Sequence, residues 1–191
     1  MRVVIVDDES LIRMDLRDIL ESQGHEVLGE GCNGVEAITL CKTLQPDVVL
    51  MDVKMPELDG IEAARQIGYA HLAPVVLLTS FSQQDLIDRA RESGVYGYLI
   101  KPVREDQLVP TLQMAIGRFN DDTMSRQQIL DFEKSLAERK IIQKATGILM
   151  DLYHISEDEA YQRIRTLSMK RRTSVAEIAQ LIIKQSASGT K

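Results

Sequence analysis

The first 118 residues alternate short apolar runs with amphipathic stretches. The apolar runs occupy residues 3–6, 26–29, 48–51, 75–78 and 96–100, and four of the five are rich in β-branched or aliphatic residues. Continuous apolar runs of this kind are typical of strands buried on both faces, and the stretches between them have helical periodicity. Five strands alternating with five helices predict an α/β domain built on a doubly wound, five-stranded parallel sheet. The functional site of such a sheet lies at the carboxyl ends of its strands.

A long helical pattern follows the last predicted strand. Residues 118–138 contain neither Pro nor Gly, and apolar residues recur there mostly at helical spacing, for example Ile129, Phe132 and Leu136. We therefore predict that the last helix of the sheet domain continues into a helical linker over residues 119–138. The linker either forms a short coiled coil with a second copy or packs on its own domain.

Three short helices are predicted after the linker. The first covers residues 139–150. Ser156, with Glu159 three residues later, has the pattern of a capping box and begins the second helix, which ends near Met169. Thr173 or Ser174 caps the third helix, which ends near Lys184. The predicted organisation is a domain at 1–118, the linker at 119–138, a small all-α domain at 139–185 and a flexible tail at 186–191.

The charge is distributed unevenly along the chain. Residues 1–118 carry 11 Lys and Arg against 19 Asp and Glu, a net charge of −8, whereas residues 119–191 have a net charge of +2. The segment 139–172 alone has a net charge of +4. This pattern indicates either a polyanion-binding surface on the small domain or an ordinary solvated helix surface.

Composition excludes several classes of protein. The two cysteines, Cys32 and Cys41, have neither metal-binding nor disulfide-framework spacing. No apolar run reaches the roughly 18–20 residues of a membrane helix, and no signal peptide is visible. We therefore expect a soluble, cytoplasmic protein with no membrane partner.

Five chemically distinctive residues lie at predicted strand ends. Asp7, Asp8 and Asp52 follow the first and third strands, Thr79 ends the fourth, and Lys101 follows the fifth. Converging carboxylates repel one another, and a hard cation such as Mg²⁺ relieves that repulsion through oxygen ligands. Acids, a hydroxyl and an ammonium together fit a phosphoryl group carried on a carboxylate. The alternative is that each acid merely caps a helix, as Asp8 alone would.

Residues 1–118 resemble the flavodoxin-like receiver domain of two-component response regulators. The resemblance rests on 6–9 (Val-Asp-Asp-Glu), 52–60 (Asp-Val-Lys-Met-Pro-Glu-Leu-Asp-Gly), Thr79 and Lys101-Pro102. It implies that a sensor histidine kinase phosphorylates Asp52. The other roles that it implies are Mg²⁺ binding by Asp8, Asp52, Asp7 through water and the backbone carbonyl of Lys54, a switch pair of Thr79 and Tyr98, and a cis peptide before Pro102 that orients Lys101.

A second family that forms aspartyl phosphates has a different motif. Phosphatases and transferases of the haloacid-dehalogenase type use Asp-x-Asp, in which the second Asp is the general acid and base. Lys54 occupies that position here. We therefore expect a phosphoacceptor switch with slow autophosphatase activity at most, and no turnover of an outside substrate.

Residues 130–184 resemble the ANTAR domain, the RNA-binding module of transcription antiterminators. The resemblance rests on 138–150, on 155–161 and on the segments Leu167-Ser168-Met169 and Ala176-Glu177-Ile178-Ala179. A receiver joined to this module resembles the ethanolamine-utilisation type of regulator, which binds paired hairpins in nascent mRNA, usually as a dimer. The resemblance therefore implies RNA hairpins as the target and a homodimer that forms on phosphorylation.

The candidate RNA contacts are seven of the basic residues of the small domain: Arg139, Lys140, Lys144, Arg165, Lys170, Arg171 and Arg172. The family commonly has Lys where this chain has Thr146, and Lys144 is a candidate to replace it. Tyr161 either stacks on a base or belongs to the core. Gly147 inside a helix indicates close packing or RNA approach. From the residues alone, a DNA-binding regulator and a phosphate sink with a dimerising tail remain open.

Overall fold

The computed structural model describes residues 1–80 and 94–188, within which the chain forms five strands and six helices. The strands are β1 (Arg2–Val6), β2 (Glu26–Gly31), β3 (Val48–Asp52), β4 (Val75–Thr79) and β5 (Val95–Ile100). The helices are α1 (Ser10–Ser22), α2 (Gly34–Leu44), α3 (Gly60–Tyr69), α4 (Glu105–Tyr153), α5 (Glu157–Arg171) and α6 (Val175–Ser188). The helix predicted between the fourth and fifth strands lies outside the described residues.

The five strands form one parallel sheet in the order β2-β1-β3-β4-β5. The strand order reverses beside β1, so the predicted doubly wound topology is confirmed. A crevice for ligands opens at such a reversal, outside the carboxyl ends of the strands on either side of it. Those strands are β1 and β3, which lead into Asp7 and end in Asp52.

The sheet is buried on both faces. Alternate residues of β1 belong to different apolar clusters, Val4 and Val6 to one and Val3 and Ile5 to the other. Helices α2 and α3 cover the first face, and α1 together with the beginning of α4 covers the second. Burial on both sides explains why β3 and β4, and β1 after Arg2, are apolar without alternation.

Helix α4 continues without a break from Glu105 to Tyr153. The prediction of a separate helix over 139–150 is therefore wrong, because linker and helix are one element. The physical reason is that no Pro follows Pro110 and that Gly147 is the one Gly after Gly117 in this segment, so nothing ends the helix there. The chain divides into two compact units within this helix, Met1–Thr123 and Met124–Lys191.

The second unit has a small core of its own. Ala145 of α4, Ile164 of α5 and Ile178 of α6 are fully buried together, so each helix contributes to one apolar cluster. The predicted capping box at Ser156 and Glu159 is confirmed. Ser174 rather than Thr173 caps α6, by reciprocal hydrogen bonds with Glu177.

Helix α6 extends beyond its predicted end. It continues to Ser188, whereas the sequence placed the end of the domain at residue 185 and a flexible tail at 186–191. Residues 185–188 (Gln-Ser-Ala-Ser) contain no helix breaker, so the extension costs little. Residues 189–191 lie outside the described part of the chain.

Among the described residues, no helix has both the length and the apolar character needed to cross a membrane.

Candidate functional site

Two buried carboxylates lie side by side where the strand order reverses. Asp7 follows β1 directly and Asp52 is the last residue of β3, and these two strands pair in parallel register with Val6 opposite Met51. Asp7 is completely buried and Asp52 is 7% exposed. Two negative charges in a dry environment repel each other and lose hydration, so this arrangement requires a cation.

Lys101 supplies a positive charge between the two carboxylates. Its Nζ lies 2.7 Å from Asp52 Oδ1 and 2.8 Å from Asp7 Oδ2. The contact with Asp7 is an ion pair. The peptide bond between Lys101 and Pro102 is cis, as predicted. The side chain of Lys101 is 19% exposed, so it reaches the pair from the rim of the site.

The charges of this trio shift one another's proton affinity. Burial raises the pKa of the Asp52 carboxyl above its ordinary value, and the neighbouring charge of Asp7 adds to the rise while Lys101 opposes it. Burial alone would lower the pKa of Lys101, but hydrogen bonding and attraction to Asp52 and Asp7 raise it above its usual range. Lys101 therefore stays a cation throughout the physiological pH range.

Backbone amides fix the orientation of both carboxylates. The Lys54 N–H donates to Asp52 Oδ2 at 2.9 Å, and the Glu9 N–H donates to Asp7 Oδ1 at 3.0 Å. Arg13 Nη1 donates to the Asp7 carbonyl oxygen at 2.6 Å, a contact that the sequence analysis missed. Its signal was an Arg one turn into the helix that follows Asp7. The bond from Lys54 holds Asp52 in position for chemistry at the mouth of the site, and the other two fix Asp7.

Gly60 is a second residue that the sequence analysis undervalued. It begins α3, and its N–H donates to the Val53 carbonyl oxygen at 2.9 Å. A Cβ at this position would overlap the backbone carbonyl of Asp52. Only Gly lets the helix come this close to the strand end that carries Asp52. The available signal was Gly at the first position of a predicted helix, directly after the Asp59 cap.

Thr79 and Tyr98 occupy the predicted positions on β4 and β5. Thr79 is 8% exposed, and its Oγ1 donates to the Ser80 carbonyl oxygen at 3.2 Å. Tyr98 is 51% exposed. One residue of the predicted switch pair is therefore buried at the site and the other reaches solvent, while their joint movement stays a prediction.

The predicted metal ligands are only partly brought together. Asp8 is exposed, whereas Asp7 and Asp52 meet at Lys101. In residues 1–80 and 94–188 no three acidic, His or Cys side chains form a cluster that could hold a metal ion. The donor chemistry nevertheless fits Mg²⁺, because a buried carboxylate pair beside exposed Asp8 and the Lys54 carbonyl offers only oxygen ligands.

The basic candidates of the second unit all lie on the surface. The exposed residues are Arg139, Lys140 and Lys144 on α4, Arg165, Lys170 and Arg171 on α5, and Arg172 directly after α5. Thr146, by contrast, is 4% exposed, and its hydroxyl donates to the Ile142 carbonyl oxygen. Positions 144 and 146 lie roughly 200° apart around the helix. The two side chains therefore point in different directions, and the idea that Lys144 substitutes for a Lys at position 146 stays a prediction.

The structure also narrows the predicted roles of Gly147 and Tyr161. No atom lies within 4 Å of a Cβ built on Gly147, so close helix packing does not explain this Gly within the described residues. Tyr161 is 41% exposed and is not a core residue. Tyr153, for which no role was predicted, is 58% exposed, and the Arg163 guanidinium lies 5.2 Å from the centre of its ring.

Both parts of the chain are similar to known protein families. Residues 3–113 match the family described as the response regulator receiver domain, and residues 131–183 match the ANTAR domain. The transcriptional regulatory protein PdtaR of Mycobacterium tuberculosis is 40% identical over 182 residues, which cover 95% of this chain and 89% of that protein. The chemotaxis protein CheY of Thermotoga maritima is 38% identical over 58% of this chain and 93% of its own length.

Solved structures match the first unit. The signal receiver domain of a modulated diguanylate cyclase from Desulfovibrio desulfuricans is 36% identical with a TM-score of 0.59, over 63% of this chain and 97% of that one. A sensor histidine kinase receiver domain from Pseudomonas aeruginosa is 28% identical with a TM-score of 0.55, over 61% and 97% of the two chains. That structure is described with a magnesium ion coordinated in its active-site cleft. The chain therefore belongs to the response regulators and joins a receiver domain to an ANTAR domain.

Proposed function

We propose that phosphorylation of Asp52 by a sensor histidine kinase controls binding of RNA hairpins by the ANTAR domain, and thereby transcription antitermination. The observation that carries the proposal is the ion-paired trio of Asp7, Asp52 and Lys101 at the strand ends, in a chain whose second unit has an exposed basic surface. The trio provides a phosphoacceptor and a cation to bind the phosphoryl group. The basic surface provides the attraction to a polyanion.

In the proposed transfer, a carboxylate oxygen of Asp52 attacks the phosphorus of the kinase phosphohistidine. The new P–O bond forms as the P–N bond breaks, and the leaving imidazole takes up a proton. Lys101 Nζ, which lies 2.7 Å from the Asp52 carboxylate, is positioned to bind the negatively charged phosphoryl group once it is on Asp52. Thr79 would then turn its hydroxyl from Ser80 toward a phosphoryl oxygen, and Tyr98 would move with it.

A divalent cation fits this mechanism. Mg²⁺ would be held by Asp8, Asp52, the Lys54 carbonyl and Asp7 through water. When bound, it supplies positive charge that neutralises the phosphoryl oxygens during transfer. The chain's own cation, Lys101, adds positive charge from the carboxyl end of β5, on the same edge of the sheet.

The proposed site is a switch rather than the active site of a metabolic enzyme. Lys54 is exposed and lies where a general acid would be needed to protonate a leaving group. Asp7 also contacts Lys101, as Asp52 does. Lys101 neutralises the charge of Asp7 there, so Asp7 is not placed to act as that general acid. We therefore expect slow loss of phosphate and no turnover of an outside substrate.

The first test concerns RNA binding by the end of α5. Replacing Arg171 and Arg172 with Ala should lower affinity for a pool of hairpin RNAs and reduce the slope of log affinity against log salt by about 1.4, because each single-strand phosphate contact contributes about 0.7. The matched control is Arg126→Ala with Lys134→Ala, two exposed cations of α4 outside the basic set. Equal slopes for both double variants would contradict the assignment of Arg171 and Arg172.

The second test concerns assembly. Ile129, Phe132 and Leu136 of α4 are 60%, 64% and 40% exposed at helical spacing, an apolar seam that suits a second copy of the same helix. The seam is short, so the dimer should be marginal until phosphorylation stabilises it. Light scattering with and without a beryllofluoride phosphate mimic should show conversion from monomer to dimer. The same mass in both states at micromolar concentration would contradict the coupling.

A further inference from the structure

A cleft between α4 and α6 is lined almost entirely by basic and apolar side chains. Its walls are Lys140, Ile141 and Lys144 of α4 and Gln180, Ile183 and Lys184 of α6, and its volume is about 450 Å³. Ile141 and Ile183 pack against the buried core of the unit, so the floor is fixed. In the described part of the chain no carboxylate lines this cleft.

Helix α4 places no acidic residue beside Lys140 or Lys144. Residues 139–150 contain no Asp or Glu, and neither do the positions three and four residues before Lys140. An ordinary solvated helix surface intersperses both signs, and acids three or four residues away usually pair with lysines. Lys140 and Lys144, four residues apart on one helix, repel each other, and a bound polyanion relieves that repulsion.

Gly147 lies on the same face of α4 as these two lysines. Positions 140, 144 and 147 are separated by four and three residues, the spacing that places side chains on one helix face. The space above Gly147 is open within the described residues. A Gly here costs the helix about 1 kcal/mol relative to Ala without relieving any contact inside the described part of the protein. That cost is explained if a ligand approaches the bare backbone.

We infer that the sugar–phosphate backbone of RNA runs along the α4 face formed by Lys140, Lys144 and Gly147, with Lys184 of α6 binding phosphate from the opposite wall. This inference rests on the proposed RNA-binding function and adds Lys184 and Gly147 to it. The stripe from position 140 to 147 is roughly 10 Å long, more than a single phosphate occupies. A second copy docking by this same face would bring lysines against lysines, which disfavours a dimer contact there.

A pair of Gly variants separates RNA contact from fold. Gly147→Ala and Gly117→Ala both add a Cβ into open space on α4, so both should raise the denaturant midpoint slightly. Only Gly147→Ala should weaken binding of the full-length protein to a hairpin RNA pool, by about tenfold, because its methyl group displaces the RNA backbone. Equal affinities for both variants would overturn the role of Gly147.

A pair of charge variants tests the lysines. Lys144→Gln with Lys184→Gln should weaken RNA binding by about fivefold per charge and reduce the salt slope by about 1.4. Arg126→Gln with Lys134→Gln should leave the slope within about 0.7 of the parent value. If the parent binds hairpin RNA and the two double variants have the same affinity and salt slope, the cleft is not the RNA contact, although the proposed RNA-binding function is retained.

A titration with pyrophosphate tests whether the cleft binds phosphate even if the protein does not bind hairpin RNA. Pyrophosphate titrated into the full-length protein should shift the side-chain NMR signals of Lys144 and Lys184 and leave that of Lys134 unchanged. If the parent binds no hairpin RNA but this shift occurs, the proposed function fails and the cleft is retained as a phosphate site. If neither RNA nor pyrophosphate acts on these lysines, the inference itself is refuted.

Discussion

Replacing Asp52 with Asn is expected to abolish phosphate incorporation completely. The Asn amide keeps the volume of the buried side chain but has no oxygen nucleophile of comparable strength. Asp7 cannot substitute, because it is fully buried and ion-paired with Lys101, and its other oxygen accepts from the Glu9 N–H. Intact mass after incubation with a small phosphodonor should show one added phosphate on the parent and none on the variant.

Two further variants complete this experiment. Asp121→Asn removes an exposed carboxylate far along the chain from the site and should be phosphorylated like the parent. Lys101→Ala removes the cation between Asp7 and Asp52, so it should still accept some phosphate but respond with weaker dimerisation. A phosphate on the Asp52→Asn variant would refute Asp52 as the phosphoacceptor.

Gly60→Ala is expected to give the largest loss of stability among the variants considered. The Cβ of the new Ala is held rigidly by its own backbone and would overlap the backbone carbonyl oxygen of Asp52, so neither atom can rotate away. The helix or the strand end must therefore shift, at a cost of about 3 kcal/mol. The shift also moves Asp52 relative to Lys101, so the rate of phosphorylation should fall with stability.

Gly117→Ala is the matched control for this loss. It lies on α4 with no atom within 4 Å of the added Cβ, so it should stabilise the protein by about 1 kcal/mol or less. Urea unfolding of the full-length chain followed by circular dichroism measures both variants. A midpoint for Gly60→Ala equal to that of the parent would mean that α3 is not held against the end of β3 as described.

Much of the sheet unit could be predicted from sequence, because its signals are local. Each buried strand is a continuous apolar run, and the reactive residues directly follow strand ends. The ion pairs of Lys101 with Asp7 and Asp52 join residues far apart in sequence, so the residue types were predictable but their pairing was not. Asp8 shows a second limit of prediction from sequence. It is adjacent to Asp7 in the chain, yet it is exposed to solvent while Asp7 is buried beside Asp52.

The second unit was less predictable, because its signals depend on helix phase. The continuity of α4 across residue 138 follows from the absence of any breaker, yet a separate helix had been predicted over residues 139–150. Thr146 and Lys144 are two residues apart in sequence but on opposite sides of the helix, one buried and one exposed. Lys184 lies forty residues from Lys144, so only the packing of α6 beside α4 identifies it as part of the same cleft.

The central claim is that phosphorylation of Asp52 controls RNA binding. The most direct measurement titrates the full-length protein, with and without beryllofluoride, against a hairpin RNA pool and against duplex DNA at two salt concentrations. We predict tighter binding to the hairpins when the phosphate mimic is present, weaker binding at higher salt, and no such gain for the duplex or for Asp52→Asn. Sequence-selective duplex binding that exceeds hairpin binding, or hairpin affinity unchanged by beryllofluoride, would contradict the account.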